Sequence, residues 1–168
     1  MFGVTLERTL GSKRFLFFYI SCGIGAALVQ ELVWFFTWPG IFAKALAPLN
    51  GVSVAEMSGY LKENMSLPQV QGLLNQLATI GASGAIYGVL LAFGMLFPNV
   101  PLYFMFIPVP IKAKWMVLGY GVIELLIGMS QANDGVAHFA HLGGMIFGFI
   151  IIYYWKKKGS LGGFGGYA

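Results

Sequence analysis

Two short stretches of this chain hold residues whose types and spacing could do chemistry. Ser83 lies in Gly81-Ala82-Ser83-Gly84-Ala85-Ile86-Tyr87-Gly88, a small-residue turn that runs into an apolar helix. His141 lies in Ala140-His141-Leu142-Gly143-Gly144-Met145-Ile146-Phe147-Gly148. On the first helix Gly81, Ala85, Gly88 and Ala92 recur at spacings of four and three, and Tyr87 falls one turn below Ser83 on the same face. On the second, His141, Gly144 and Gly148 stand at i, i+3 and i+7. Helix faces with so little bulk pack closely. Such an approach lets a serine hydroxyl reach an imidazole, the minimum constellation for an activated nucleophile. Either stretch alone is weak evidence, because a serine among glycines in a membrane helix usually bonds back to its own backbone.

The elements that must position these groups are membrane spans. The chain has 168 residues, 58% hydrophobic and 10% charged, with mean hydropathy +0.77, which is outside the range of soluble domains and marks an integral membrane protein. Its net charge of +4 comes from short basic clusters, which suit the positive-inside rule and not nucleic acid. The single cysteine, Cys22, cannot form an internal disulfide. Residues 1–6 are too short an apolar run for a cleavable signal peptide and are followed at once by Glu7 and Arg8.

Residues 1–6 read as the last turns of a helix, so the start looks cut. After the basic turn Gly11-Ser12-Lys13-Arg14, residues 15–36 are long enough to span, with Gly23 and Gly25 suited to helix contacts. Residues 37–78 contain Pro39, Pro48 and Pro68 and both signs of charge, and so form an extramembrane connection. Within it Val54, Met57, Leu61 and Met65, then Leu73, Leu74 and Leu77, recur at helical spacing; a helix on the membrane surface and a packed hairpin fit equally. Residues 79–97 are the second span. Residues 102–107, hemmed by Pro101, Pro108 and Pro110, make a loop or short interfacial segment. Residues 115–130 and 136–155 are the third and fourth spans, and residues 159–168 a glycine-rich, disordered tail. Four crossings put Arg8, Lys13, Arg14, Lys112, Lys114 and Lys156 to Lys158 on one side. Lys44 and Lys62 stand against Glu56, Glu63 and Asp134 on the other. The first side is therefore cytoplasmic, and Ser83 and His141 both fall near the outer ends of their helices.

A GASG turn with a tyrosine four residues after the serine, then AHLGG with a further glycine four on, resembles the rhomboid family of intramembrane serine proteases. The resemblance runs from Gly3, Leu6, Glu7 and Gly11 through the fourth span. It implies that Ser83 is the nucleophile, His141 the base and Tyr87 a ring stacked on the imidazole. Gly81 and Gly84 would frame the serine turn, and Gly144 and Gly148 would let the helices meet. It favours His141 over His138, which lacks a glycine at plus three. A Ser-His dyad suffices in that family, so no cofactor is implied. Rhomboids ordinarily carry two further helices upstream, the second supplying a histidine and an asparagine to the oxyanion, so this chain is expected to be an N-terminally truncated member.

Amide hydrolysis also needs oxyanion donors and water. The N–H groups of Ala82 and Ser83, unpaired at a helix start, are the natural donors, and the outer leaflet supplies water. His138 and His141 could begin a metal site, but the sequence shows no third ligand cluster; no metal is expected, and His138 is read as a polar group at the helix mouth. A third triad member would have to be Asp134, in an Asn-Asp-Gly turn where capping is the ordinary role, or Glu124, inside the third span, where a structural hydrogen bond is favoured.

The expected fold is all-α, a polytopic, rhomboid-like transmembrane helix bundle of four full spans plus a partial N-terminal helix. Residues 1–158 make the membrane domain, with 37–78 inserted on the outer side. The expected function is intramembrane serine endopeptidase, cutting transmembrane-helix substrates near the outer face, in a bacterial plasma (inner) membrane with the C terminus cytoplasmic. Its partners are transmembrane proteins and the lipid bilayer, not nucleic acid, and its oligomeric state is open. The alternative is a catalytically impaired rhomboid-like protein that binds membrane clients. A transporter or channel subunit fits poorly, because the polar residues cluster at one end of two helices.

Overall fold

The computed structural model describes residues 2–77, 82–104, 107–130, 137–159 and 161. Seven helices and one hairpin follow in the order α1 (Phe2–Leu10), α2 (Ser12–Asn50), α3 (Val54–Glu63), α4 (Pro68–Leu74), α5 (Ser83–Leu96), β1 (Pro101–Phe104), β2 (Ile107–Lys112), α6 (Ala113–Ser130) and α7 (His138–Lys157). The chain divides into two compact units, one of residues 1–30 with 81–168, the other of residues 31–80.

In the first unit, α1 turns into α2 at Gly11, whose φ of 81° suits a residue without Cβ. The Ser12 hydroxyl donates to Glu7 across that turn. Helix α5 is the hub. It packs against α7, α6 and α1, and the small-residue face predicted for it is buried at Ala85, Gly88 and Ala92. The core joins these residues to Leu6, Phe18, Cys22, Phe93 and Ile152. The outward residues are as apolar as the inward ones. Leu16, Phe17, Ile20, Ile24 and Leu28 on α2, and Leu118, Val122, Leu125 and Leu126 on α6, are all exposed. Apolar area of that extent marks a surface meant for lipid.

Among the described residues three helices, α2, α6 and α7, are long and apolar enough to cross a membrane. The expected second span differs. Its helix, α5, has 14 residues, which at 1.5 Å per residue reaches only about 21 Å. Phe97 ends it ahead of Pro98, and its other neighbours, residues 78–81, lie outside the described residues. Residues 101–104 and 107–112 differ as well, forming an antiparallel pair with Pro101 opposite Lys112 and Leu102 opposite Ile111. In a sheet of two strands both are edge strands, where prolines are tolerated.

In the second unit the helix expected over residues 15–36 does not stop at residue 36. Helix α2 continues through Pro39 and Pro48 to Asn50. A proline inside a helix costs a backbone hydrogen bond, and what offsets it is burial: Ala43 and Ala47 lie under Trp38, Met57, Leu61 and Val70. The helical spacing predicted after residue 53 is present as α3 and α4. Helix α3 starts with a reciprocal cap, in which Ser53 Oγ accepts from Glu56 N–H at 3.2 Å and Glu56 accepts from Ser53 N–H at 2.8 Å.

Candidate active site

Ser83 is the first residue of α5 and is exposed, while His141 sits in the first turn of α7 and is buried. Their side chains meet, with His141 Nε2 2.9 Å from Ser83 Oγ. What permits this is the backbone contact beside them. A Cβ on Gly144 would lie 2.6 Å from the Gly84 carbonyl carbon, and one on Gly148 would lie 3.1 Å from the Gly88 carbonyl oxygen. Two helices can approach so closely only where side chains are missing. The ring of Tyr87 stacks on His141, centroids 4.1 Å apart and planes 8° from parallel, leaving the imidazole little freedom to turn.

The start of α5 is open. Ala82 and Ser83 are exposed, and their N–H groups belong to the first turn, where no carbonyl precedes them in the helix. Gly81, expected to frame the serine turn, and Asp134, one of the two acids considered for a triad, lie outside the described residues.

Glu124 holds a more central place than the single structural hydrogen bond expected of it. It projects from α6 and is 7% exposed. One carboxylate oxygen accepts from the Tyr87 hydroxyl, and the other lies 2.6 Å from His138 Nδ1. That second oxygen also lies 3.0 Å from His141 Nδ1, close enough for ion pairing but off the line a hydrogen bond requires, so the nitrogen has no aligned partner among the described residues. His138, expected at a helix mouth with local bonds, is buried and bonded to a neighbouring helix.

Glu124 also corrects the expectation that the two histidines have no third ligand near them. Glu124, His138 and His141 each offer an atom within 4.8 Å of the others, a donor set that zinc accepts. Their spacing is that of hydrogen bonding, however. Zinc bonds of 2.0–2.2 Å at tetrahedral angles hold ligand atoms about 3.3 Å apart, and the 2.6 Å between His138 and Glu124 is well inside that.

Sequence reasoning passed over Gln30. This buried side chain on α2 accepts from Ala140 N–H at 3.1 Å, capping the turn that carries His141. The signal available was an amide within an otherwise apolar run, since buried amides keep a partner.

A family model for the rhomboid domain matches residues 1–158. Neither a search of curated proteins nor a search of solved structures returned a match.

Proposed function

The chain belongs to the rhomboid family, and from that premise we propose that it is an intramembrane serine endopeptidase acting through Ser83 and His141. The observation that carries the reading is the 2.9 Å between Ser83 Oγ and His141 Nε2, at an exposed helix start backed by a buried ring. Ser83 Oγ attacks the substrate carbonyl carbon as its proton passes to His141 Nε2, and the carbonyl π electrons move onto oxygen. The N–H groups of Ala82 and Ser83, at the start of the helix, receive that oxyanion. Collapse breaks the C–N bond, the departing amine takes the proton from His141, and the acyl group stays on Ser83. Water, deprotonated by the same nitrogen, then releases it.

The substrate is a transmembrane helix admitted from the side and locally unwound, since a carbonyl inside an intact helix is hydrogen-bonded and shielded. The basic cluster Lys156 to Lys158 at the end of α7, against only Lys44 and Lys62 in residues 37–78, supports a cytoplasmic C terminus in a plasma membrane, with Ser83 toward the outer face. The client-binding alternative gives no reason for a serine and a buried imidazole to be held in register.

Ser83→Ala and His141→Ala should each abolish cleavage of a transmembrane reporter in proteoliposomes and leave membrane insertion intact. A fluorophosphonate probe should label Ser83 in the unmodified protein only. Unchanged cleavage by either variant removes the assignment.

A further inference from the structure

We propose that Glu124 is a third member of the catalytic unit, a positioning residue that keeps the proton of neutral His141 on Nδ1 and stabilises the imidazolium when Nε2 takes the serine proton. The inference rests on the Ser83–His141 reading above. A carboxylate inside an apolar span is costly and needs partners, and this one draws them from two other helices: Tyr87 on α5, His138 and His141 on α7. Tyr87 and His138 would suffice to satisfy a purely structural carboxylate. The approach to His141 Nδ1 is additional.

The tautomer makes that approach consequential. Neutral imidazole donates from one nitrogen and accepts at the other. To receive the Ser83 proton, Nε2 must be bare, so Nδ1 must carry the hydrogen. Nδ1 is buried, and the acceptor 3.0 Å away is Glu124 Oε2. Resting-state hydrogen bonds in active sites are often poorly aligned and tighten as charge develops. Proton transfer to His141 creates a cation whose second N–H faces an anion already in place, with no solvent to reorganise. Tyr87 contributes twice, holding the ring by its face and Glu124 by its other oxygen, which leaves Oε2 turned toward both Nδ1 atoms. The proton on Nδ1 stays there throughout, so Glu124 is neither protonated nor bonded to substrate.

The chain has two histidines, so ¹⁵N-histidine labelling gives a spectrum simple enough to read in lipid nanodiscs. A His138→Asn variant assigns the signals. In the unmodified protein at neutral to mildly alkaline pH, His141 should show a protonated Nδ1 and a bare Nε2. In Glu124→Gln, whose amide can donate to Nδ1, that preference should be lost. The turnover number should fall by on the order of 10²–10⁴ with KM little changed, because the contact matters in the transition state and not in substrate binding. Glu124→Asp, which keeps the charge, should recover at least a tenth of the lost rate.

Three results overturn the proposal: a His141 proton on Nε2 in the unmodified protein, a Glu124→Gln turnover number within about threefold of the original, or loss of cleavage in EDTA that zinc restores, which would make the trio a metal site. The first needs no change at Glu124 and stands even where Glu124→Gln fails to fold. Failure of the protease reading is separate: it shows as an absence of Ser83-dependent cleavage, and the tautomer measurement still decides the role of Glu124.

Discussion

Gly144→Ala tests whether helix approach sets the reactive geometry. The added Cβ would lie 2.6 Å from the Gly84 carbonyl carbon, 0.8 Å short of the 3.4 Å at which ordinary van der Waals contact begins, and nearer still to the carbonyl oxygen. Both colliding groups are backbone, so neither can swing aside. Helices α5 and α7 must part by about 0.8 Å or more. Ser83 adjoins Gly84, and His141 lies one turn before Gly144, so the same displacement takes their 2.9 Å contact to about 3.7 Å, beyond hydrogen bonding. A misplacement of about 1 Å costs on the order of 10² in rate, and overpacking of this kind costs roughly 1–3 kcal/mol in stability. Cleavage of a transmembrane reporter in proteoliposomes, with fluorophosphonate labelling of Ser83, measures the first effect, and thermal unfolding in detergent the second. Gly119→Ala on α6, where a Cβ meets nothing within 4 Å, is the control and should behave as the parent. A Gly144→Ala protein that cleaves and labels within about threefold of the parent, below what a 1 Å misplacement costs, would refute the reasoning.

Two further outcomes follow from contacts outside the reactive pair. Gln30→Ala removes one of two acceptors of Ala140 N–H, the other being the Ala137 carbonyl, and should cost about 0.5 kcal/mol, the low end for a hydrogen bond, seen as a lower unfolding midpoint with Ser83 labelling slowed. At α3, hydrogen bonds from Ser53 hold the Glu56 carboxyl below its ordinary value of 4.5. Its contribution to that cap is therefore present above 4.5 and lost as pH falls through the lower folded value. Amide hydrogen exchange at Glu56, corrected for intrinsic rate, should accelerate on acidification in the parent and be fast at all pH values in Ser53→Ala.

The pairing of Ser83 with His141 was readable in the chain because two independent patterns agreed: small residues at helical spacing on both helices, and matching depth once the spans were drawn. Glu124 was visible as an acid in an apolar run, but its direction was not. Helix α6 is apolar nearly all the way round, so no stripe of polar residues shows which side meets α5 and α7. By local rules Pro39 and Pro48 argue against a continuous helix. The burial of Ala43 and Ala47, which overrides them, depends on Met57, Leu61 and Val70, far along the chain. The prolines of residues 101–112 hid a hairpin for a related reason, since whether a strand is an edge strand depends on a partner that the local sequence does not announce. Gln30 reaches α7 across 110 positions, beyond any periodicity.

The brevity of α5 bears on which chains could be cut. At about 21 Å it is some 9 Å short of a hydrocarbon layer roughly 30 Å thick, so it cannot reach both borders of the layer. With the serine exposed at its first residue and α1, α6 and α7 packed against it, the proposed protease would meet its substrate at the tip of a short helix. An intact helix is about 10–12 Å across and keeps its carbonyls in its own hydrogen bonds, whereas a single extended strand would present them to that tip. Cleavage there would favour sequences that melt readily, those that carry glycine or proline near the cut.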